Sequence, residues 1–556
     1  MRPSQTAVAA AVLLAAGVAR PAQPPASITI SGGVSLGSYE AGLVYYAVEA
    51  MRLNPAAATP RIVTGASAGS VNGFMTILQA CGAPVPDPMK SILWNAWIPL
   101  GLEKLHVEGQ TEKLGAFSRA AFDPPLQLIV DAWKAGLPKS CDAVFGLSVT
   151  RLIPRVVSNE GDRLHLPHVE EHFVLRVQGR GLGQAPRLTN YADPKWTGEQ
   201  ALLPEKDGEV IFAGLVDALF ASTAFPGAFP PQAVKHCIVA EGAAAKCPLE
   251  SAHSDLFVDG GVFDNTPVRL ATRVAAAGLR PDGDGTRWLD APDLKVRNLP
   301  PSLVVAHIST EARTFPEEIE SPASKEVTSL LGVTAQVGVS FLTTARTKNL
   351  LYVRDDAPDV FERLLVPERH LPAASSPLFA FFGFVEGELR RFDFALGMYD
   401  GRRLTEDRIG ERLKRSGAAG AGTPTYPEDA PGAREAAASW RRYRCLKAVM
   451  DFSPEARGAC AGEDLRDFRI VFQTSIERLW DSCSRLKETA LSYDSDPLCR
   501  SARLGEPVMS VPFVDPLPGT TWRRSGSETE AAYAMRILAS HGFEFKDLGL
   551  RRDEAV

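Results

Sequence analysis

Residues 27–79 read SITISGGVSLGSYEAGLVYYAVEAMRLNPAAATPRIVTGASAGSVNGFMTILQ, and the fold turns on this stretch. Ser27 to Ile30 is a short β-branched run. The turn Gly32-Gly33-Val34-Ser35-Leu36-Gly37 follows it, and the apolar spacing of Leu43, Tyr46, Ala47 and Ala50 predicts a helix from about Tyr39 to Leu53. A second strand, Arg61 to Thr64, runs into Gly65-Ala66-Ser67-Ala68-Gly69 and another helix. A G-x-S-x-G pentapeptide is weak evidence alone, but between strand and helix it forms a sharp elbow that lifts the serine Oγ out of the backbone. The glycine turn before the first helix aims backbone N–H groups at whatever lies above it.

Two later stretches complete a pattern. Residues 221–231 read ASTAFPGAFPP, and residues 257–267 read FVDGGVFDNTP, a D-G-G with a trailing N-x-P. These four motifs, in this order over residues 27–310, resemble the patatin-like phospholipases, serine acyl hydrolases that act on lipids. The resemblance implies a three-layer α/β/α fold with a central, mostly parallel sheet. It implies Ser67 as nucleophile and Asp259 as its base, a Ser-Asp dyad working through an acyl-enzyme. Gly65, Gly69, Gly260 and Gly261 would support the two turns. A carboxylate is a weak base at neutral pH, so burial or a short bond to Ser67 must raise its basicity, and the apolar flank Leu256-Phe257-Val258 is consistent with that.

The same resemblance assigns the oxyanion hole to the Gly32, Gly33, Val34, Ser35 and Gly37 turn, whose amides would hold the developing negative charge. The match is imperfect here. Val34 stands where the family usually has a third glycine, and it can donate its N–H provided its φ is negative. Leu36 stands where an Arg or Lys is usual, which favours a neutral lipid or simple ester over a phosphate head group. Asp264 reads as a cap of the following helix and Asn265 as a turn residue.

Other readings compete. His307, near the end of the apolar run Leu303 to Ile308, would permit an α/β-hydrolase triad of Ser67, Asp259 and His307. A non-catalytic lipid-binding or scaffold protein on the same fold is the third class. A dinucleotide-binding loop is disfavoured, because G-x-G-x-x-G needs glycine where Val34 stands.

Composition is that of an ordinary globular protein: 556 residues, 45% hydrophobic and 23% charged. A net charge of -6 without a basic stripe argues against a nucleic-acid partner. No metal or organic cofactor is implied; the expected partner is a lipid or phospholipid, at a membrane surface or free. Residues 1–26, with Arg2 ahead of an apolar run from about Ala7 to Ala19, read as a secretory signal peptide, so the protein is expected to be exported. The eight cysteines then read as disulfide-forming, with Cys237–Cys247 and Cys445–Cys460 the first pairs to consider from closeness in sequence.

The predicted organisation is a catalytic domain over 27–310, an extension packed on it over 311–414, a Gly/Ala/Pro-rich linker over 415–433 and a helical, Cys-containing subdomain over 434–556. Residues 83–160 read as an insertion of Pro-rich turns and helices, such as Leu126 to Ala135. Phe173–Val177 and Val210–Phe212 read as strands, Leu303–Ile308 as a buried parallel strand and 321–349 as helical. The Pro-rich turn Phe225 to Pro231 reads either as the active-site mouth or as a rigid structural turn. The cluster Phe379, Phe381, Phe382 and Phe384 reads as core packing between domain and extension, or else as a lid or a membrane-approach surface.

Overall fold

In chain order the main sheet is built from β1 (Pro25–Ile30), β2 (Thr59–Gly65), β3 (Asp142–Ser158), β4 (His165–Gln178), β5 (Arg187–Asn190), β6 (Glu199–Leu202), β7 (Gln232–Ala240), β8 (His253–Asp259) and β9 (Ala306–Ser309). These belong to a computed structural model that describes residues 24–415 apart from 106–116, 159–164, 192–198, 241–245, 312–347 and scattered shorter gaps. The leader, the 415–433 linker beyond its first residue, the 434–556 subdomain, nearly all of the 321–349 helix, Phe379, Phe381 and the Cys445–Cys460 pair lie outside the described residues.

Strand order is β9-β1-β2-β3-β8-β7-β6, with β4 on the other edge of β3 and β5 beyond it. The strands β9, β1, β2 and β3 run parallel, and the remaining pairings are antiparallel. Helices cover both faces. On β2, Val63 packs into the core under α1 (Gly37–Leu53) and α2 (Ala68–Cys81), whereas its neighbour Ile62 packs with Leu270, Ala271 and Val274 of a helix spanning Val268–Gly278. Side chains alternate across a strand, so this split is the three-layer arrangement written along one strand.

The long strand β3 was not legible in the sequence. It lies inside the stretch read as an insertion, and it organises the sheet. Gly65 of β2 pairs with Leu147, and Asp259 of β8 pairs with Val149. Because β4 occupies the other edge of β3 throughout, β2 and β8 share one edge and run head-on towards each other, their C-terminal ends meeting at Ser148. Val210–Phe212 is a correction of a different kind: Val210 belongs to a small two-stranded ribbon apart from the main sheet, and Phe212 opens α5 (Phe212–Ser222), where the apolar run FAGLVDALF buries a helical face. The intervening helices used below are α3 (Ile92–Trp97) and α4 (Asp123–Ala135). The Val268–Gly278 helix is α6.

The extension ends in α7 (Gly387–Arg415), which lies on α1. The backbones approach so closely that a Cβ on Gly42 would sit 2.0 Å from the Phe394 carbonyl oxygen and one on Gly397 would sit 1.9 Å from that of Tyr39. Tyr39 donates its hydroxyl to Asp400 Oδ2 at 3.0 Å. Burial, reinforced by the Asp400 carboxylate, raises the phenol well above its ordinary range and keeps it a donor. Disulfides join Cys81 to Cys141 and Cys237 to Cys247. The second is the pair expected from spacing; the first ties the end of α2 to the start of β3 across 60 residues. Both fit an oxidising compartment. No helix among the described residues is long and apolar enough to cross a membrane.

Candidate active site

Ser67 sits on the turn from β2 into α2 with φ 52° and ψ −131°, a left-handed conformation uncommon outside glycine. The flanking glycines are required by space. A Cβ on Gly65 would lie 2.1 Å from the Gly69 carbonyl oxygen, and one on Gly69 would lie 2.3 Å from that of Ile30. Ser67 N donates to Ser222 Oγ at 3.0 Å, and Ser222 Oγ donates to the Ser148 carbonyl at 2.8 Å. The elbow is thereby fastened to β3 at the point where β2 and β8 meet.

Ser67 Oγ donates to Asp259 Oδ2 at 2.5 Å. Asp259 Oδ1 accepts from Gly261 N at 2.7 Å, and only 1% of the residue is exposed. Phe257 and Val258 are buried beside it, while Leu256 is largely solvent-facing, so the apolar flank is two residues deep rather than three. The Gly260 position admits no side chain, since a Cβ there would touch the Ser148 carbonyl.

Over Ser67 lies the Gly32–Gly37 turn: a Cβ on Gly32 would be 2.7 Å from Ser67 Cβ and 2.5 Å from Asn265 Oδ1. Its amides are divided between tasks. Gly32 N donates to the Asn265 carbonyl and Ser35 N to the Ala380 carbonyl, so both are aimed away from a substrate. The amides of Gly33 and Val34 make no hydrogen bond among the described residues. Gly37 is pressed against the Trp97 ring. Val34 does not meet the condition of a negative φ, its φ being +52°, yet its N–H has no acceptor among the described residues and so stays able to donate. Ties from Gly32 and Ser35 fix the turn on both sides and impose on this β-branched residue the conformation a glycine would adopt freely, at a cost of about 1–3 kcal/mol.

Asp264 does not cap α6, whose N-cap Pro267 has no side-chain bond. Its Oδ2 instead meets His172 Nε2 at 3.0 Å, and its carbonyl accepts from Ser148 Oγ. Asn265 is more than a turn residue, wedged between the glycine turn and the D-G-G turn. His307 is not brought to the site. It lies on β9 opposite Ser27, three residues short of the β1 end, and Asp259 Oδ2 is already engaged by Ser67 itself. Ser222 and Asn265 were missed as site-building residues, although both lie inside motifs quoted from the sequence.

An apolar pocket whose empty volume is about 500 Å³, its open mouth included, adjoins Ser67. Val34, Trp97, Phe122, Phe225, Phe229 and Phe384 line it. The Pro-rich turn thus reaches the mouth through Phe225 and Phe229, and Phe384 of the aromatic cluster joins the wall; no Lys or Arg among the described residues does.

Residues 178–272 match the family model described as Patatin-like phospholipase. The resemblance read from the motifs is therefore met independently, over a span that contains Ser222 and Asp259 and stops short of Ser67. The patatin-like phospholipases are lipid acyl hydrolases, and the mixed sheet with parallel central strands and helices on both faces is consistent with their α/β/α fold. No curated protein matches the chain. Among solved structures it is similar to VipD from Legionella pneumophila, at 11% identity over 87% of this chain and 85% of that one, with a TM-score of 0.21.

Proposed function

We propose that this protein is an exported lipid acyl hydrolase that cleaves carboxylic esters with Ser67 as nucleophile and Asp259 as base. The observation that carries the reading is the 2.5 Å bond from Ser67 Oγ to Asp259 Oδ2 at the edge of an apolar pocket. In the proposed cycle Ser67 Oγ passes its proton to Asp259 Oδ2 and attacks the ester carbonyl carbon. The oxyanion that forms is held by the Gly33 and Val34 amides, each such donor being worth about 3–4 kcal/mol in the transition state. Collapse expels the alcohol, which takes the proton from Asp259. Water then repeats the sequence on the acyl-enzyme and frees the acid.

The acyl chain occupies the pocket beside Ser67. The lack of a cation among the described residues of its lining, together with Leu36 in the turn, favours a neutral ester over a phosphate head group. A fluorophosphonate probe followed by peptide mapping tests the assignment. Attachment at Ser67 supports it; attachment at another serine, or none while the folded protein still hydrolyses esters, refutes it. Folded protein that binds lipid but neither labels nor turns over would be a scaffold.

A further inference from the structure

Among the described residues, the pocket beside Ser67 is walled by elements of the catalytic fold, with one exception. Val34, Ala68 and Val71 come from the two turns and their helices, Trp97 from α3, and Phe225 and Phe229 from the Pro-rich turn. Phe384 comes from the extension, far outside the residues matched to the family. It is 3% exposed, so its ring is spent on the pocket wall and on the core behind it.

The short segment carrying it is built in rather than draped over. Ser35 donates both its N–H and its hydroxyl to the Ala380 carbonyl, and Gly383 N donates to Ser35 Oγ at 3.1 Å. Arg390, itself 3% exposed, donates from Nη1 to the Gly383 carbonyl at 2.6 Å and from Nε and Nη2 to the Ile98 carbonyl at 3.1 and 2.8 Å. A buried guanidinium committed to two carbonyls fixes them relative to one another. Here they are the chain next to Phe384 and the end of α3, whose Trp97 forms the adjoining wall.

We propose that Phe384 is a specificity-determining residue of the acyl pocket, set in place by the extension, whose ring limits the size of the acyl group accepted beside Ser67. The inference rests on reading the site as an acyl hydrolase. A hydrophobic wall discriminates by about tenfold or more per methylene that it admits or excludes, so removal or enlargement of one ring has a readable effect.

The test uses the full chain and p-nitrophenyl esters with acyl groups of about 4 to 16 carbons, with Ser67 labelling by a fluorophosphonate as a parallel readout. Phe384→Ala should raise kcat/KM for the longest esters relative to the shortest by about tenfold or more, and Phe384→Trp should move the ratio the other way. Phe384→Leu, a smaller change less exposed to misfolding, should shift it in the Ala direction. An unaltered chain-length ratio in all three, or an equal loss at every length, would overturn the proposal while leaving the hydrolase reading intact. Wild-type protein that labels no serine and cleaves no ester would instead overturn that reading, and this inference with it.

Discussion

Ser67 and Asp259, 192 residues apart, meet because β2 and β8 run head-on along one edge of β3 and end on either side of Ser148. The pairing fixes where each side chain emerges before any local turn acts. Ser67→Ala should lower kcat/KM for ester hydrolysis at least about 10³-fold. Asp259→Asn, which keeps the shape but cannot take the proton, should lower kcat by about 10²–10⁴. Thermal melts of both variants separate this from unfolding. Asp259→Asn with wild-type turnover would remove Asp259 from the mechanism.

Ser222 links Ser67 to the sheet by accepting from Ser67 N and donating to the Ser148 carbonyl, and it is fully buried. Ser222→Ala leaves a buried amide and a buried carbonyl without that partner. The expected stability loss is about 1–3 kcal/mol in denaturant titrations, together with a lower kcat as the elbow loses its brace. A variant as stable as the wild type would show that water or a small backbone shift replaces the hydroxyl.

The glycine turn, the elbow and the D-G-G turn were legible because each demands residue types that few other structures need: Gly65 and Gly69 have carbonyls where a Cβ would go. The strand joining them was not. Residues 142–149, DAVFGLSV, alternate only in part and lie inside the stretch that reads as an insertion. In the structure Val144 and Phe145 are both buried because helices cover both faces, and double burial erases the two-residue period. Ser35's tie to Ala380 was equally hidden, since no local pattern reports a contact made across hundreds of residues.

Val34 reverses an ordinary rule. Alanine normally exceeds glycine in stability by about 0.4–1 kcal/mol, through the entropy of the unfolded chain. At φ +52° the order should invert, because a left-handed conformation costs a residue with a Cβ about 1–2 kcal/mol. Val34→Gly is therefore expected to be more stable than Val34→Ala. Chemical denaturation of the two variants decides it, and Val34→Ala as the more stable would place the residue at negative φ.

The two disulfides should differ in worth according to the loops they close. With separations of 60 and 10 residues, chain entropy gives roughly 4 kcal/mol for Cys81–Cys141 and roughly 3 kcal/mol for Cys237–Cys247. Replacing Cys81 and Cys141 together by serine should lower the denaturation midpoint more than replacing Cys237 and Cys247. It should also impair activity more, since α2 starts immediately after its N-cap Ser67 and ends at Cys81. Equal losses would point to strain or residual unfolded-state structure as the governing term.

His236 supplies a pH dependence whose sign follows from its surroundings. Its Nδ1–H donates to the Val234 carbonyl, leaving Nε2 to accept from Arg151 Nη1 at 3.1 Å. Burial pushes the imidazole down to about 4, and the Val234 bond and Asp255 only partly oppose this against His253 and Arg151. The folded protein thus holds His236 neutral down to acid pH, while the unfolded chain takes up a proton at about 6.5. The unfolded state binds more protons throughout the window between those values, so stability falls as pH drops from about 6.5 to about 4 and is unaffected by this group above it. His236→Gln should shrink the stability difference between pH 7 and pH 4.5 by about 2 kcal/mol. Urea titrations of both proteins at the two pH values measure it, and an undiminished difference in the variant would assign the acid sensitivity to other groups.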